Sequence, residues 1–340
     1  MKKSDLLKET IKHIDITTFD STQIINSMRE MSFTSRDTAN ASDIYTRMLK
    51  DPDCTIILTL AGSTSAGGCM KLYADLIRFN MIDAVVATGA SIVDMDFFEA
   101  LGFKHYKGTP FIDDNKLRDL YIDRIYDTFI DEESLQKCDE AIFQIAETLE
   151  KRPYSSREFI EEMGKYLVKN SVKKDSLVQL AYENRVPVFC PAFTDSSAGF
   201  GLVKHQWMNK KNHISIDSVK DFLEITLLKM NADTTGLFMI GGGVPKNFAQ
   251  DIVVCAEILG KDVPKHKYAV QITVADVRDG ACSSSTLKEA SSWGKVETVY
   301  EQMVFAEATS VLPLIVSCNY HKKDWEKRVK RNWADLYKDK

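Results

Sequence analysis

The chain has 340 residues, 44% of them apolar and 27% charged, with a formal net charge of -5. That is the profile of an ordinary folded protein, large enough for one sizeable domain or two modest ones, and neither disordered nor fibrous. It contains no run of about 18 apolar residues, which excludes a membrane-spanning helix, and its acidic balance argues against nucleic acid as a partner while leaving room for a cationic one.

The opening "MKKSDLLKETIKHIDITTFD" has two lysines but no apolar block behind them, so it does not read as a signal peptide. Residues 1–32 are expected to be a helical extension of a single domain that runs to about residue 320. "CTIILTLAG" reads as a strand ending at a glycine. After it, Cys69, Leu72, Tyr73, Leu76 and Ile77 recur on one helical face. "IDAVVATGA" is the next strand, and the charged stretch from about Phe111 to Tyr154 is expected to be largely helical. "RVPVFCPAFTD", "TGLFMIGGG" and "KYAVQITVAD" follow as strands. Between the first two of these, "DSVKDFLEITLLKM" places Val219, Phe222, Leu223 and Leu227 on one face, and "FAQDIVVCAEIL" is helical too. The tail "HKKDWEKRVKRNWADLYKDK" has Trp325, Val329, Trp333 and Leu336 in helical register, an expected amphipathic helix over 321–340. Continuous apolar strands that alternate with helices imply a parallel sheet buried on both faces, an α/β, Rossmann-like doubly wound fold.

Ligands of such sheets gather outside the carboxyl ends of the strands, where this chain keeps its glycines. "AGSTSAGG" offers Gly62 and Ser63 between a strand and a helix, where backbone N–H groups can approach a pyrophosphate. "TGAS" offers Thr88, Gly89 and Ala90, and "IGGGVPKN" offers Gly242 and Gly243. None is the GxGxxG fingerprint, yet three such turns at successive strand ends favour a dinucleotide. Asp195, Asp276, Asp279 and Glu307 also follow strands. There a carboxylate can cap a turn, bind a ribose hydroxyl or pair with an ammonium. The seven cysteines form no CxxC pair, so they read as single thiols of a reducing cytoplasm and not as a zinc site.

"EASSWGKV" adds a possible nucleophile. An amine attacks carbon only when neutral, and burial or neighbouring positive charge brings a lysine toward neutrality. Trp293 would give Lys295 an apolar wall, and Gly294 would let the backbone bring it inward.

Taken together, "GGGVPKN", "YAVQITVADVRDGACSSSTLKEASSWGKV", "VFAEATSVLPLIV", "VPVFCPAFTDSSAG" and "FNMIDAVVATGA" closely resemble the deoxyhypusine synthase family, in order from about Phe33 to Tyr320. The resemblance implies a cytoplasmic, NAD-dependent transferase without net redox change. In that family NAD takes hydride from spermidine to give an imine, and the lysine matching Lys295 holds the butylamine fragment as a Schiff base. An acceptor amine then receives the fragment. The acceptor is a lysine of a translation factor precursor, or putrescine in homospermidine-forming relatives. The usual assembly is a homotetramer with active sites at subunit interfaces.

By the same resemblance, Trp293 and Glu289 join Lys295 on the substrate side, and Asp195, Gly242, Gly243 and Asp279 match cofactor positions. Glu307 stands where an aspartate is usual. Three substrate-side positions depart from the pattern: Phe200 and Cys282 replace acids, and Asn247 replaces a histidine. Two lost carboxylates remove ammonium partners, and the lost histidine removes a proton carrier. An altered diamine or polyamine substrate is therefore expected, with a small amine or a protein lysine as acceptor. The alternatives are a binder of NAD or polyamine that has lost turnover, and an NAD-consuming hydrolase.

Overall fold

Apolar runs rich in β-branched residues favour strands covered on both faces. The computed structural model, which describes residues 2–280 and 285–338, joins them in one sheet. Its strands are β1 (Cys54–Leu60), β2 (Ala84–Ala87), β3 (Val188–Phe189), β4 (Thr234–Ile240), β5 (His266–Thr273) and β6 (Val296–Phe305). They pair in the order β3-β2-β1-β4-β5-β6, and every pairing is parallel. The direction of winding reverses between β1 and β4, as in a doubly wound α/β fold of the Rossmann type.

Because side chains alternate along a strand, each strand feeds two cores. Ile56, Leu58, Phe238, Ile240, Val270 and Ile272 face one layer, where they meet Tyr45, Met48, Leu72, Tyr73, Leu312 and Ile315. Tyr45 stacks on Phe238 with ring centroids 4.4 Å apart. Ile57, Val86, Leu237, Met239 and Ala269 face the other layer, filled by Ile225, Leu228, Ala249, Ile252, Leu287 and Ala290. Helices Phe33–Lys50, Met70–Arg78 and Ala308–Lys322 cover the first face, and Ser218–Asn231, Gly243–Ile258 and Leu287–Ser292 cover the second.

Five regions depart from the sequence reading. Strand β6 gives no apolar run because it is the sheet's edge, with Glu297 and Glu301 along it and Val299 exposed. The stretch 111–154 holds helices Asp114–Asp119 and Glu132–Thr148, but also strands Ile122–Ile125 and Thr128–Asp131. These pair antiparallel with each other, and the second also pairs with His105–Lys107. On helix Ser218–Asn231 the apolar spacing selects the wrong face. Val219 and Leu223 are exposed while Asp221 and Glu224 are buried. The acids go inward because Asp221 accepts from the Ser156 and Arg157 N–H groups and the Ser156 hydroxyl, and Glu224 binds the Arg157 guanidinium.

The tail is a strap and not an amphipathic helix. Lys323 (φ 61°) and Asn332 (φ 50°) take left-handed conformations that stop a helix, leaving two short turns at Asp324–Lys327 and Trp333–Tyr337. Trp325 stacks on Tyr320, Trp333 and Leu336 pack on the second core, and Val329 faces solvent. The N-terminal extension is helical only at Lys3–Leu6 and Thr22–Arg29. Between them an arm runs past the first glycine loop, where the Ile14 N–H donates to the Gly68 carbonyl at 2.9 Å.

Candidate functional site

All six strands point their carboxyl ends the same way, so the turns that follow them converge. Gly62 and Ser63 follow β1, while Thr88, Gly89 and Ala90 follow β2. Asp195 lies in the turn after β3, Gly242 and Gly243 follow β4, Asp279 follows β5 and Glu307 follows β6. The ten residues proposed from sequence for a cofactor thus share one edge of the sheet. Gly62 (φ 81°) and Gly243 (φ 63°) have left-handed backbones, and a Cβ at either would meet nothing within 4 Å. The reversal point therefore has an open backbone cradle. The Ser91 hydroxyl donates to the Gly62 carbonyl at 3.0 Å and is 3.0 Å from the Thr88 hydroxyl, which ties the first two turns together. Gly89 lets the second and third turns close: a Cβ there would lie 2.7 Å from the Ser196 hydroxyl. Open backbone next to the first turns of several helices fits a pyrophosphate-bearing ligand. Asp195 is exposed at this rim, and Glu307 caps helix Ala308–Lys322 by accepting from the Thr309 N–H at 3.0 Å.

Sequence reasoning missed Asp94, which lies two turns past β2 and accepts from the Ser197 N–H at 2.7 Å. Burial pushes its carboxyl up to about 6 against that hydrogen bond, and Asp139 and Asp195 add to the shift. Phe200 and Asn247 are exposed on the first turns of helices Ser197–Met208 and Gly243–Ile258, beside the same rim. Cys282 lies outside the described residues. Asp276 is engaged by Arg278 through two bonds of 2.9 Å.

The lysine segment lies elsewhere. Lys295 precedes β6, so it sits at the amino end of the sheet, and its carbonyl accepts from the N–H of His266, the first residue of β5. Six residues of β5 separate that point from the level of the glycine triplet, about 20 Å at the rise of a strand. The side chain recovers part of the distance by reaching across to helix Gly243–Ile258. There Lys295 Nζ lies 2.5 Å from Asp251 Oδ1, with 13% of its side chain exposed. Asp251 is eight residues past Gly243, about 12 Å along the helix axis.

The surroundings of this lysine differ in detail from a buried aromatic pocket. Trp293 is 67% exposed, so it lies over Lys295 from the surface instead of filling the core, with its ring centroid 5.2 Å from Lys295 Nζ. The nitrogen does not stand alone; it faces the Asp251 carboxylate. The amine is shielded, but it does not stand in the glycine crevice. Glu289 forms a capping box at the start of helix Leu287–Ser292: the Thr286 N–H donates to its Oε2 at 2.6 Å, and its own N–H donates to the Thr286 hydroxyl at 3.2 Å.

Lys246 connects the two places. It is fully buried, and its Nζ donates to Gln271 Oε1 at 2.7 Å and to the Ser285 carbonyl. Gln271 Nε2 in turn donates to the Gly241 carbonyl at 3.0 Å. Burial pulls the Lys246 ammonium down to about 8, with Glu289 opposing and Lys295 reinforcing the shift. Neither Lys246 nor Asp251 stood out in the sequence. The one available signal for Asp251 was its position four residues after Asn247, on the same helix face.

Among known proteins, the family model described as deoxyhypusine synthase matches residues 23–319. A deoxyhypusine synthase-like protein of Coxiella burnetii is 68% identical over 337 residues, covering 99% of this chain and 96% of the relative. One from Caulobacter vibrioides is 65% identical over 340 residues, covering 99% and 93%. The crystal structure of a protein assigned as a deoxyhypusine synthase from Entamoeba histolytica matches the fold with a TM-score of 0.61 at 20% identity, covering 94% of this chain and 99% of that one. Agreement in sequence and in fold over nearly the same span has a single explanation: the chain belongs to the deoxyhypusine synthase family, a family of transferases.

Proposed function

We propose that the protein moves an aminobutyl-type group from a polyamine to an acceptor amine, in the cytoplasm, with NAD as cofactor and Lys295 as the covalent carrier. The observation that carries this reading is the open backbone cradle at Gly62 and Gly243, ringed by Thr88, Asp195, Asp279 and Glu307. Those groups suit the pyrophosphate and ribose hydroxyls of NAD, which when bound would take up and return hydride. Lys295 supplies an amine that little solvent reaches, beside an indole.

Because cradle and lysine stand apart in one protomer, the complete site is proposed to form between copies, in a homotetramer. Exposed apolar side chains next to both halves favour burial against another chain. They are Phe200, Val203 and Trp207 near the cradle, and Trp293 and Val299 near the lysine. The apolar Phe200 and neutral Asn247 at the rim supply no ammonium partner. That favours a donor or acceptor with fewer charges to pair than spermidine and a protein lysine, such as a diamine in a homospermidine-type transfer.

The test is incubation of the full-length protein with NAD and a pool of putrescine, spermidine, agmatine and cadaverine. Products are read by mass spectrometry, and borohydride is added to trap the covalent state. An adduct on Lys295 is expected, with turnover reduced at least roughly a thousand-fold in Lys295→Ala. If no amine gives an adduct or transient NADH, this reading is wrong.

A further inference from the structure

Asp251 has no role in any expectation drawn from the sequence, yet it is the group nearest the amine. Its Oδ1 is 2.5 Å from Lys295 Nζ, and 40% of its side chain remains open to solvent or to a ligand. It lies one helical turn from Asn247, the position where the resemblance expects a histidine, and residues four apart share a helix face. The other charged groups around this pair are Lys246, from the same helix, and Glu289, from the helix that leads into Lys295; Lys246 interacts electrostatically with both Glu289 and Lys295. Lys246 is tied to Gln271 and Ser285, and Glu289 to Thr286, so Asp251 is the acid in direct contact with Lys295 among the described residues.

We propose that Asp251 is a catalytic residue of the covalent step: it accepts the proton that Lys295 must lose before it attacks, and it is the counter-ion of the iminium that follows. This rests on the reading of Lys295 as the covalent carrier. The Lys295 ammonium gives one proton to the Asp251 carboxylate, and the nitrogen lone pair forms a bond to the imine carbon of the substrate. The π pair of that imine moves to the substrate nitrogen, which takes up a second proton from the attacking nitrogen. Asp251 then returns its proton to the substrate nitrogen. The old carbon–nitrogen bond breaks, the amine leaves with the bonding pair, and a Lys295 iminium remains opposite the Asp251 carboxylate. Protons and electrons balance without an oxidant in this step. A carboxylate on the turn next to Asn247 thus takes up the proton handling that the missing histidine would have supplied.

The test separates this proposal from the reaction it serves. Full-length protein is treated with propionaldehyde and cyanoborohydride over a range of pH, and alkylation of Lys295 is measured by peptide mass spectrometry. Loss of the carboxylate removes the partner that favours the ammonium, so in Asp251→Asn the midpoint of Lys295 labelling is expected to fall by about one pH unit or more. Asp251→Glu is expected to restore it. A role that does not act on the Lys295 nitrogen would leave the midpoint in place, so coincident profiles for wild type and Asp251→Asn would overturn the proposal. If Asp251→Asn does not fold, the profile of Asp251→Glu decides: a midpoint closer to wild type than to that of a solvent-exposed lysine supports the pairing, and the reverse refutes it. Aldehyde labelling needs neither NAD nor a polyamine. A shifted midpoint with no adduct from any amine would therefore condemn the transfer reading and not the pair.

Discussion

At the carboxyl ends of the strands the chain turns on Gly62, Gly89 and Gly243, leaving backbone open beside exposed acids. At the amino ends, residues 328–337 cross the sheet and close it. Arg328 is the main fastener. Its guanidinium is 2.5 Å from Asp83 Oδ2 and donates to the carbonyls of Asn80 and Cys54, with 5% of its own side chain and 1% of that of Asp83 exposed. Further along, the Ala334 N–H donates to the Arg185 carbonyl, Arg185 pairs with Asp335, and the Tyr337 hydroxyl donates to the Glu224 carbonyl. One end of the sheet leaves open space against its glycine turns, and the other is tied down by the ion pairs and hydrogen bonds of the strap. If the proposed cofactor site lies at the open end, substitutions at the two ends should separate stability from binding.

The largest effect on stability is expected at the sealed end. Arg328→Ala leaves the Asp83 carboxylate buried without its counter-charge, a loss of about 3–5 kcal/mol. Urea unfolding should report it, while calorimetry with NAD should find the affinity of the folded variant unchanged. A large fall in NAD affinity would mean that the two ends are coupled.

An intermediate effect is expected at the N-terminal arm, which borders the open end. Glu99 lies 2.8 Å from both His13 and His105 and 2.6 Å from Lys173. Burial opposes its charge, but hydrogen bonds from His105 and His13 and the charge of Lys173 outweigh it and hold the carboxyl well below the usual carboxylate range. A group depressed on folding contributes fully above its unfolded value, near 4.3 for a glutamate, and loses that contribution as pH falls toward the folded value. Glu99→Gln should therefore cost about 2–3 kcal/mol at pH 7. The unfolding curves of variant and wild type should draw together below about pH 4. A constant gap between them through that range would refute the assignment.

The smallest cost in stability, and the most specific in binding, is expected at the cradle. Gly62→Ala places a Cβ on a left-handed backbone, worth about 1–2 kcal/mol. The same methyl enters the space proposed for the dinucleotide, so NAD affinity should drop at least about ten-fold, or 1.4 kcal/mol. Unchanged affinity would remove Gly62 from the site.

How much of this was legible beforehand depends on what each signal measures. The alternation of apolar strands with helices revealed the sheet, because a strand buried on both faces must be apolar throughout. Glycines and small polar residues after those strands revealed the rim. The edge strand β6 was not legible, since half-exposed residues carry no such constraint. The inward face of helix Ser218–Asn231 was misread because Asp221 and Glu224 are buried by partners more than 60 positions away, which no local period records. The ion pair of Lys295 with Asp251 joins residues 44 positions apart, and nothing in the chain between them announces it.

The sequence by itself determined the α/β class, five of the six strands and the glycine turns behind them, because burial and backbone freedom act residue by residue. It also determined, through resemblance, the family. Only the tertiary structure decided the strand order, the strap that seals one end of the sheet, and the separation of Lys295 from the cradle. These follow from which distant surfaces meet, and a contact between distant residues is a property of the packed chain and not of either segment alone.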